Sequence, residues 1–125
     1  MKFRIKQGKG LKGKITLPGD KSISHRAIML ASLADGNSEI SGFLEGEDCL
    51  ATIDVFQNMG VNISKSEGMF IVEGKGLKGL KAPTNPLDFR NSGTSVRLCS
   101  GVLAAQEFSS TLIGDSSLSL RPMKR

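Results

Sequence analysis

The hydrophobic and polar positions of the chain follow two periods, one typical of strands and one typical of helices. Phe3–Lys6 and Lys14–Leu17 alternate apolar and polar residues, which predicts two strands. After Pro18-Gly19 the period lengthens, and apolar residues recur on one helical face: Ile23, Ala27, Leu30, Ala31 and Ala34. This pattern predicts a first helix that is capped by Asp20 or Ser22, ends at Gly36 and buries that face.

The middle of the chain predicts a second helix and a hairpin. A short strand pattern at Ser38–Ser41 precedes apolar residues at helical spacing, namely Leu50, Ile53, Phe56 and Met59. Gly60 is expected to end this helix. Two apolar runs, Val61–Ser64 and Met69–Val72, then flank Glu67-Gly68, which is typical of a tight hairpin turn.

The last third of the chain begins the same pattern again. Leu87–Phe89 predicts a strand, and a third helix is expected to begin near Gly93 and to bury Val96, Cys99, Val102 and Leu103. Phe108–Ile113 is rich in β-favouring residues and predicts a further strand. Ser116–Leu120 predicts a fourth helix, with Ser116 or Ser117 as its cap.

Repeated letters support a repeated architecture. Gly-Lys-Gly-Leu-Lys-Gly occurs at Gly8–Gly13 and again at Gly74–Gly79, and Ser24-His-Arg26 is matched by Ser95-Val-Arg97. The fold class is therefore predicted to be α/β (α+β), built from βαβαββ units. Residues 15–80 are expected to form a first unit and residues 81–125 an incomplete second one, which favours a fragment of a longer protein.

Composition and charge favour a protein that binds small anions. The 125 residues carry a formal net charge of +5, with no Trp or Tyr and only scattered Phe, so base-stacking platforms are not indicated. The alternative is a basic α/β nucleic-acid-binding module. Cys49 and Cys99 lie in apolar stretches and are expected to be buried thiols of a reducing compartment. Without a secretory or membrane-spanning pattern, the predicted location is the cytoplasm.

Three motifs at first suggest other chemistry. Both Gly-Lys-Gly-Leu-Lys-Gly copies satisfy the dinucleotide-binding pattern, but a strand pattern or prolines follow them instead of a helix. Gly19–Ser22 lacks the contiguous Gly-Lys-Ser and the earlier Gly of a P-loop. His25 has no Cys or carboxylate close in sequence, so a structural or surface role is favoured over a triad or a metal site.

Polar residues gather instead at three predicted helix starts. The first start carries Lys21, Ser22 and Arg26, of which Ser22 and Arg26 share one helix face. The second start is Asn91–Arg97, where Gly93 allows a ligand close to the backbone and Thr94 offers a hydroxyl. The third is Gly114–Arg125, with Arg121 before Pro122. Because helix N-termini and cations attract anions, the three starts are expected to converge on one anion-binding pocket that needs no metal.

These same segments resemble signatures of the 5-enolpyruvylshikimate-3-phosphate (EPSP) synthase family: Gly19–Ala27, Asn91–Arg97, and Gly114–Leu118 followed by Arg121, Pro122 and Met123. The resemblance implies the enolpyruvyl transferase fold, a cleft between two lobes. Residues 1–14 would then belong to the other lobe. It implies transfer of the enolpyruvyl group of phosphoenolpyruvate to the 5-hydroxyl of shikimate 3-phosphate, with release of phosphate and without a metal or organic cofactor.

The resemblance also assigns roles to individual residues. Shikimate 3-phosphate is expected to contact Lys21, Ser22 and Arg26. Phosphoenolpyruvate is expected to contact Lys21, Asn91, Gly93, Thr94 and Arg121. Lys21 is the expected catalytic residue, because it would meet both substrates. The remainder of the same enzyme is the implied partner, the complete enzyme is expected to be a monomer, and the 125-residue piece alone is expected to be inactive.

Overall fold

The computed structural model describes residues 2–123, and within them the chain forms four α-helices and five β-strands. The helices are α1 (Lys21–Leu33), α2 (Glu47–Asn58), α3 (Gly93–Ala104) and α4 (Ser116–Ser119). The strands are β1 (Asp35–Ile40), β2 (Asn62–Ser66), β3 (Met69–Lys75), β4 (Leu87–Asp88) and β5 (Leu112–Ile113). The mixture of helix and sheet confirms the predicted α/β class.

The strands form two small sheets. The first is antiparallel with the order β1-β3-β2, and its β2–β3 hairpin turns at Glu67-Gly68, as predicted. Both turn residues have positive φ angles, 49° and 78°, a conformation that suits Gly68 and strains most other residues. The second sheet is the parallel pair β4-β5, which α3 connects as a crossover helix.

The core lies between the first sheet and the helices. Helix α1 packs on β3 and against α2, and α3 contacts both of these helices. The predicted second and third helices are confirmed. Ile53 and Phe56 of α2 and Met59 just after it are buried, as are Val96, Cys99 and Leu103 of α3. Cys49 and Cys99 are free, buried thiols, as predicted.

The buried face of α1 differs from the predicted one. Ile23 and Leu30, both assigned to the core, are 69% and 68% exposed. Of the predicted face, Ala31 is buried, and the helix turns five other positions inward, namely Ser24, His25, Ile28, Met29 and Ser32. The hydrophobic pattern missed this face because three of its side chains are polar. The Ser24 and Ser32 hydroxyls and His25 Nδ1 each have a hydrogen-bond partner, which offsets the cost of their burial, whereas His25 Nε2 is buried without a partner among the described residues.

The predicted strands Phe3–Lys6 and Lys14–Leu17 are wrong, since residues 2–20 contain no strand. Their alternating pattern meets no neighbouring strand among the described residues, and a strand needs a hydrogen-bonded partner. The apolar side chains of this segment are 76–101% exposed: Phe3, Ile5, Leu11, Ile15 and Leu17. The strand predicted at Phe108–Ile113 shrinks to β5, because only its end reaches the two-residue β4.

Two helix boundaries differ from the predicted ones. Helix α1 ends at Leu33, and Gly36 lies within β1 with φ of 89°. The cap of α4 is Asp115, whereas Ser116 or Ser117 was predicted. The division of the chain at residues 14 and 80 into repeated units stays a prediction. Met1, Lys124 and Arg125, which fall within the predicted ranges 1–14 and 81–125, lie outside the described residues.

Candidate functional site

The first helix start is built around Asp20. Its side chain accepts a hydrogen bond from the Ile23 backbone N–H at 2.8 Å, which confirms one of the two predicted caps of α1. Just before it, Gly19 packs against the backbone of a neighbouring loop. A Cβ atom at Gly19 would overlap the Gly42 carbonyl oxygen and lie 3.1 Å from the Leu44 nitrogen. Glycine at this position therefore lets the loop approach the start of α1.

Substitution of Gly19 by Ala is expected to lower the free energy of unfolding by about 1–3 kcal/mol, because backbone atoms must move to admit the methyl group. Urea unfolding of the 125-residue chain measures the change. Gly10→Ala is the matched control, since a Cβ there meets no atom within 4 Å. The control is expected to change stability by less than about 0.5 kcal/mol. Equal stability of the two variants would contradict the tight contact.

The three predicted residues of this start lie on the surface at the N-terminus of α1. The Lys21 ammonium pairs with the Asp48 carboxylate in the first turn of α2, and its side chain stays 51% exposed. Arg26 folds back along α1 and donates from Nη1 to the Ser22 carbonyl at 3.1 Å. The first turn thus presents two cations, an exposed hydroxyl and backbone N–H groups, an arrangement that suits a phosphate or carboxylate.

The second and third helix starts meet directly. Arg121 donates from Nη2 to Asn91 Oδ1, and Asn91 donates from Nδ2 to Asp115 Oδ2 at 2.6 Å. A Cβ atom at Gly93, the first residue of α3, would lie 2.9 Å from Arg121 Nη1. The guanidinium group therefore lies over the glycine backbone. Thr94, the next residue of α3, is exposed. The second and third helix starts are therefore in contact, and their binding of an anion stays a prediction.

Asp115 holds this cluster in place. It caps α4 by accepting from the Leu118 backbone N–H at 2.7 Å, and it binds Asn91 with its other oxygen. The Leu118 hydrogen bond, the Asn91 hydrogen bond and the Arg121 charge lower the pKa of this carboxyl group, so it remains ionised. The segment is tied to α3 as well, since Arg97 donates from Nη2 to the Pro122 carbonyl at 2.7 Å.

A buried polar chain joins the first helix start to the second. His25 Nδ1 of α1 lies 2.7 Å from Thr52 Oγ1 of α2, which lies 2.7 Å from Ser95 Oγ of α3. His25 is four residues beyond Lys21, and Ser95 is two residues beyond Gly93. At about 1.5 Å per residue, both helix starts are within about 6 Å along their axes of this junction. Lys21 and Gly93 are therefore on adjoining helices at the same end.

The imidazole of His25 is fully buried and favours the neutral form. Burial and then the Lys21 charge lower its pKa, Asp48 opposes them, and Arg26 adds a smaller lowering effect. This burial agrees with the structural role favoured for the residue. Asp48, the acidic partner of Lys21, and Asp115, the hydrogen-bond partner of Asn91, were not predicted, because 27 and 24 residues of sequence separate them from these partners.

The lowered pKa of His25 predicts a pH dependence of stability. The unfolded chain, with a histidine pKa near 6.5, takes up the proton before the folded chain does. The free energy of unfolding is therefore expected to fall as the pH drops from about 7.5 to about 5, by at most about 2 kcal/mol. Urea unfolding across this range measures it. The His25→Gln variant should lose this slope, and an unchanged slope would contradict the assignment.

The described residues contain neither a metal-binding cluster nor a helix that could span a membrane. Among residues 2–123 there is no cluster of three or more His, Cys, Asp or Glu side chains arranged to hold a metal ion. No helix in the same range has the length and apolar character needed to cross a membrane.

Together, the fold and the site define an α/β protein that presents cations at adjoining helix N-termini, a class suited to small anionic ligands. Residues 5–125 match the family described as EPSP synthase (3-phosphoshikimate 1-carboxyvinyltransferase). The chain belongs to this family, which confirms the resemblance seen in the sequence.

Individual relatives agree with the family match. The chain is 56% identical to the 3-phosphoshikimate 1-carboxyvinyltransferase of Hydrogenovibrio crunogenus and 57% identical to that of Alkalilimnicola ehrlichii, over its whole length in both cases. It spans only 28% of either relative. Among solved structures, the EPSP synthase from Acinetobacter baumannii matches 89% of the chain with a TM-score of 0.84 and 54% identity, and the match covers 26% of that protein.

Proposed function

We propose that this chain provides part of the substrate-binding wall of an enzyme that transfers the enolpyruvyl group of phosphoenolpyruvate to the 5-hydroxyl of shikimate 3-phosphate and releases phosphate. The observation that carries the proposal is the convergence of Arg121 and Asn91 on the Gly93 backbone. The buried chain that joins α3 to the Lys21-bearing start of α1 supports it. Family membership supplies the reaction.

Shikimate 3-phosphate is assigned to the start of α1. Its phosphate and carboxylate are matched by the exposed cations and hydroxyl of Lys21, Ser22 and Arg26. Phosphoenolpyruvate is assigned to the neighbouring cluster of Lys21, Asn91, Gly93, Thr94 and Arg121. Lys21 lies half-exposed at the first residue of α1 and is the proposed catalytic residue, since its ammonium can stabilise charge that develops between the two substrates. No cofactor takes part in the proposed reaction.

The proposed partner is the remainder of the same enzyme. The N-terminal segment exposes Ile5 and Leu11 almost completely, and Leu120, which follows α4, is 86% exposed. Apolar side chains exposed in this way favour burial against further protein. We propose a complete enzyme that is monomeric and cytoplasmic, a location that suits two free, buried thiols. Family membership does not favour the nucleic-acid-binding alternative.

A chimeric enzyme tests the proposal. In it, residues 5–125 of this chain replace the matching segment of the Acinetobacter baumannii EPSP synthase, which is 54% identical. The chimera is expected to release phosphate only when both phosphoenolpyruvate and shikimate 3-phosphate are present, whereas the 125-residue chain alone is expected to show no turnover. A folded chimera without activity, or turnover by the isolated chain, would contradict the proposal.

A further inference from the structure

Three polar side chains from three different helices meet in the protein interior. His25 of α1, Thr52 of α2 and Ser95 of α3 each have no solvent-exposed surface. The Thr52 hydroxyl lies at the centre, 2.7 Å from His25 Nδ1 and 2.7 Å from Ser95 Oγ. These two hydrogen bonds link the three helices and offset the cost of burying the groups that form them, while His25 Nε2 stays buried without a partner among the described residues.

The bonding capacity of Thr52 assigns a direction to each contact. Its hydroxyl has one proton and two lone pairs, and the Asp48 carbonyl at 3.3 Å can only accept. All three hydrogen bonds of the Thr52 hydroxyl form when it donates to the Asp48 carbonyl and accepts from His25 Nδ1–H and from the Ser95 hydroxyl. A neutral imidazole that carries its proton on Nδ1 meets this requirement, and burial favours the neutral form.

The buried hydrogen-bonded trio of His25, Thr52 and Ser95 lies close to the proposed binding groups but does not reach the surface. His25 is one helical turn from Lys21 and directly precedes Arg26. Ser95 follows Thr94, and its backbone N–H is held by Ser92 Oγ at 3.2 Å, the cap of α3. The Thr52 hydroxyl therefore links the start of α1 to the start of α3.

We infer that Thr52 is a positioning residue, whose hydroxyl sets the spacing between the proposed shikimate 3-phosphate and phosphoenolpyruvate groups by bonding α1 and α3 at once. This inference rests on the proposed function of the two helix starts. A reaction between two bound substrates depends on their relative placement, and a misplacement of about 1 Å costs on the order of 100-fold in rate. Thr52 contacts neither substrate in this arrangement.

The test is Thr52→Val in the chimeric enzyme, a change that keeps the side-chain shape and removes the hydroxyl. We expect kcat/KM to fall by about 10–100-fold for both substrates. Thr52→Ser, which keeps the hydroxyl, is expected to restore most of this loss. Ser32→Ala is the matched control, because Ser32 is also buried but donates only within its own helix, to the Ile28 carbonyl at 2.7 Å.

The outcomes separate this inference from the proposed function. An inactive unsubstituted chimera would count against the proposed function. An active chimera in which Thr52→Val behaves like Ser32→Ala, at matched thermal stability, would overturn the positioning role alone. If Thr52→Val does not fold, Ser95→Ala replaces it, since it removes only one of the two interhelical bonds. Unchanged kinetics in Ser95→Ala would then overturn the inference.

Discussion

Substitution of Lys21 by Met in the chimeric enzyme is expected to lower kcat/KM by about 10²–10³-fold, because it removes a charge aimed at the reacting groups. Methionine keeps the length and flexibility of the side chain, so the loss reports the ammonium group. Lys21 is the first residue of α1 and pairs with Asp48, yet its side chain remains half-exposed and accessible to a ligand. Steady-state phosphate release with each substrate varied in turn measures the effect.

Lys65→Met is the matched control for this experiment. Lys65 also forms an ion pair, with Glu45 at 2.7 Å, and its side chain is 45% exposed, but it lies on β2 and belongs to none of the three helix starts assigned to the substrates. Since exposed ion pairs contribute little, the control is expected to keep kcat/KM within about twofold. Equal activity of the two variants would remove Lys21 from its proposed role.

Replacement of Arg121 by Lys is expected to raise the KM for phosphoenolpyruvate by about 10–100-fold, even though the positive charge is kept. The planar guanidinium of Arg121 places one nitrogen on Asn91 and the other over the Gly93 backbone. The single ammonium nitrogen of lysine cannot occupy both places. The dissociation constant of shikimate 3-phosphate should stay unchanged, because its proposed groups lie on α1. Initial rates and equilibrium binding in the chimera measure the two quantities.

Arg90→Lys provides the comparison for Arg121. The Arg90 guanidinium pairs with Asp54 at 2.5 Å on the surface, so this substitution repeats the same chemical change outside the proposed site. The KM for phosphoenolpyruvate is expected to stay within about twofold in this control. A rise of similar size in both variants, or a parallel loss of shikimate 3-phosphate binding in Arg121→Lys, would contradict the separate assignment of the two clusters.

Local features of the fold could be predicted because neighbouring residues determine them. The cap at Asp20, the hairpin turn at Glu67-Gly68 and the start of α3 at Gly93 depend on a few adjacent side chains and on backbone freedom. The buried face of α1 could not be predicted in the same way. Its inward side includes His25, whose burial depends on Thr52 in another helix, so a count of apolar spacing pointed to the wrong side.

The strands that were expected near the N-terminus show a second limit of prediction from sequence. Lys14–Leu17 alternates as a strand should, but pairing depends on a partner, and none of the described residues provides one. An alternating pattern states only that a segment can be extended with two different faces. It does not show which chain segment lies beside it.

The candidate site was predictable in its cations and glycines but not in the groups that orient them. Lys21 and Arg121 belong to recognisable motifs at helix starts. Asp48 pairs with Lys21 across 27 residues of sequence, and Asp115 holds Asn91, the partner of Arg121, across 24 residues, through contacts that only the folded chain creates. Helix-start motifs therefore indicated the ligand chemistry, and the fold added the second set of residues that fixes its geometry.

A crystal structure of the chimeric enzyme with shikimate 3-phosphate tests most directly whether these helix starts form the substrate-binding wall. We expect oxygen atoms of the ligand at hydrogen-bond distance, about 2.7–3.2 Å, from Ser22 Oγ, the Arg26 guanidinium and Lys21 Nζ. The cluster of Asn91, Gly93 and Arg121 should lie beside the ligand without contacting it, available to phosphoenolpyruvate. A ligand bound without contact to the start of α1 would contradict the proposed site.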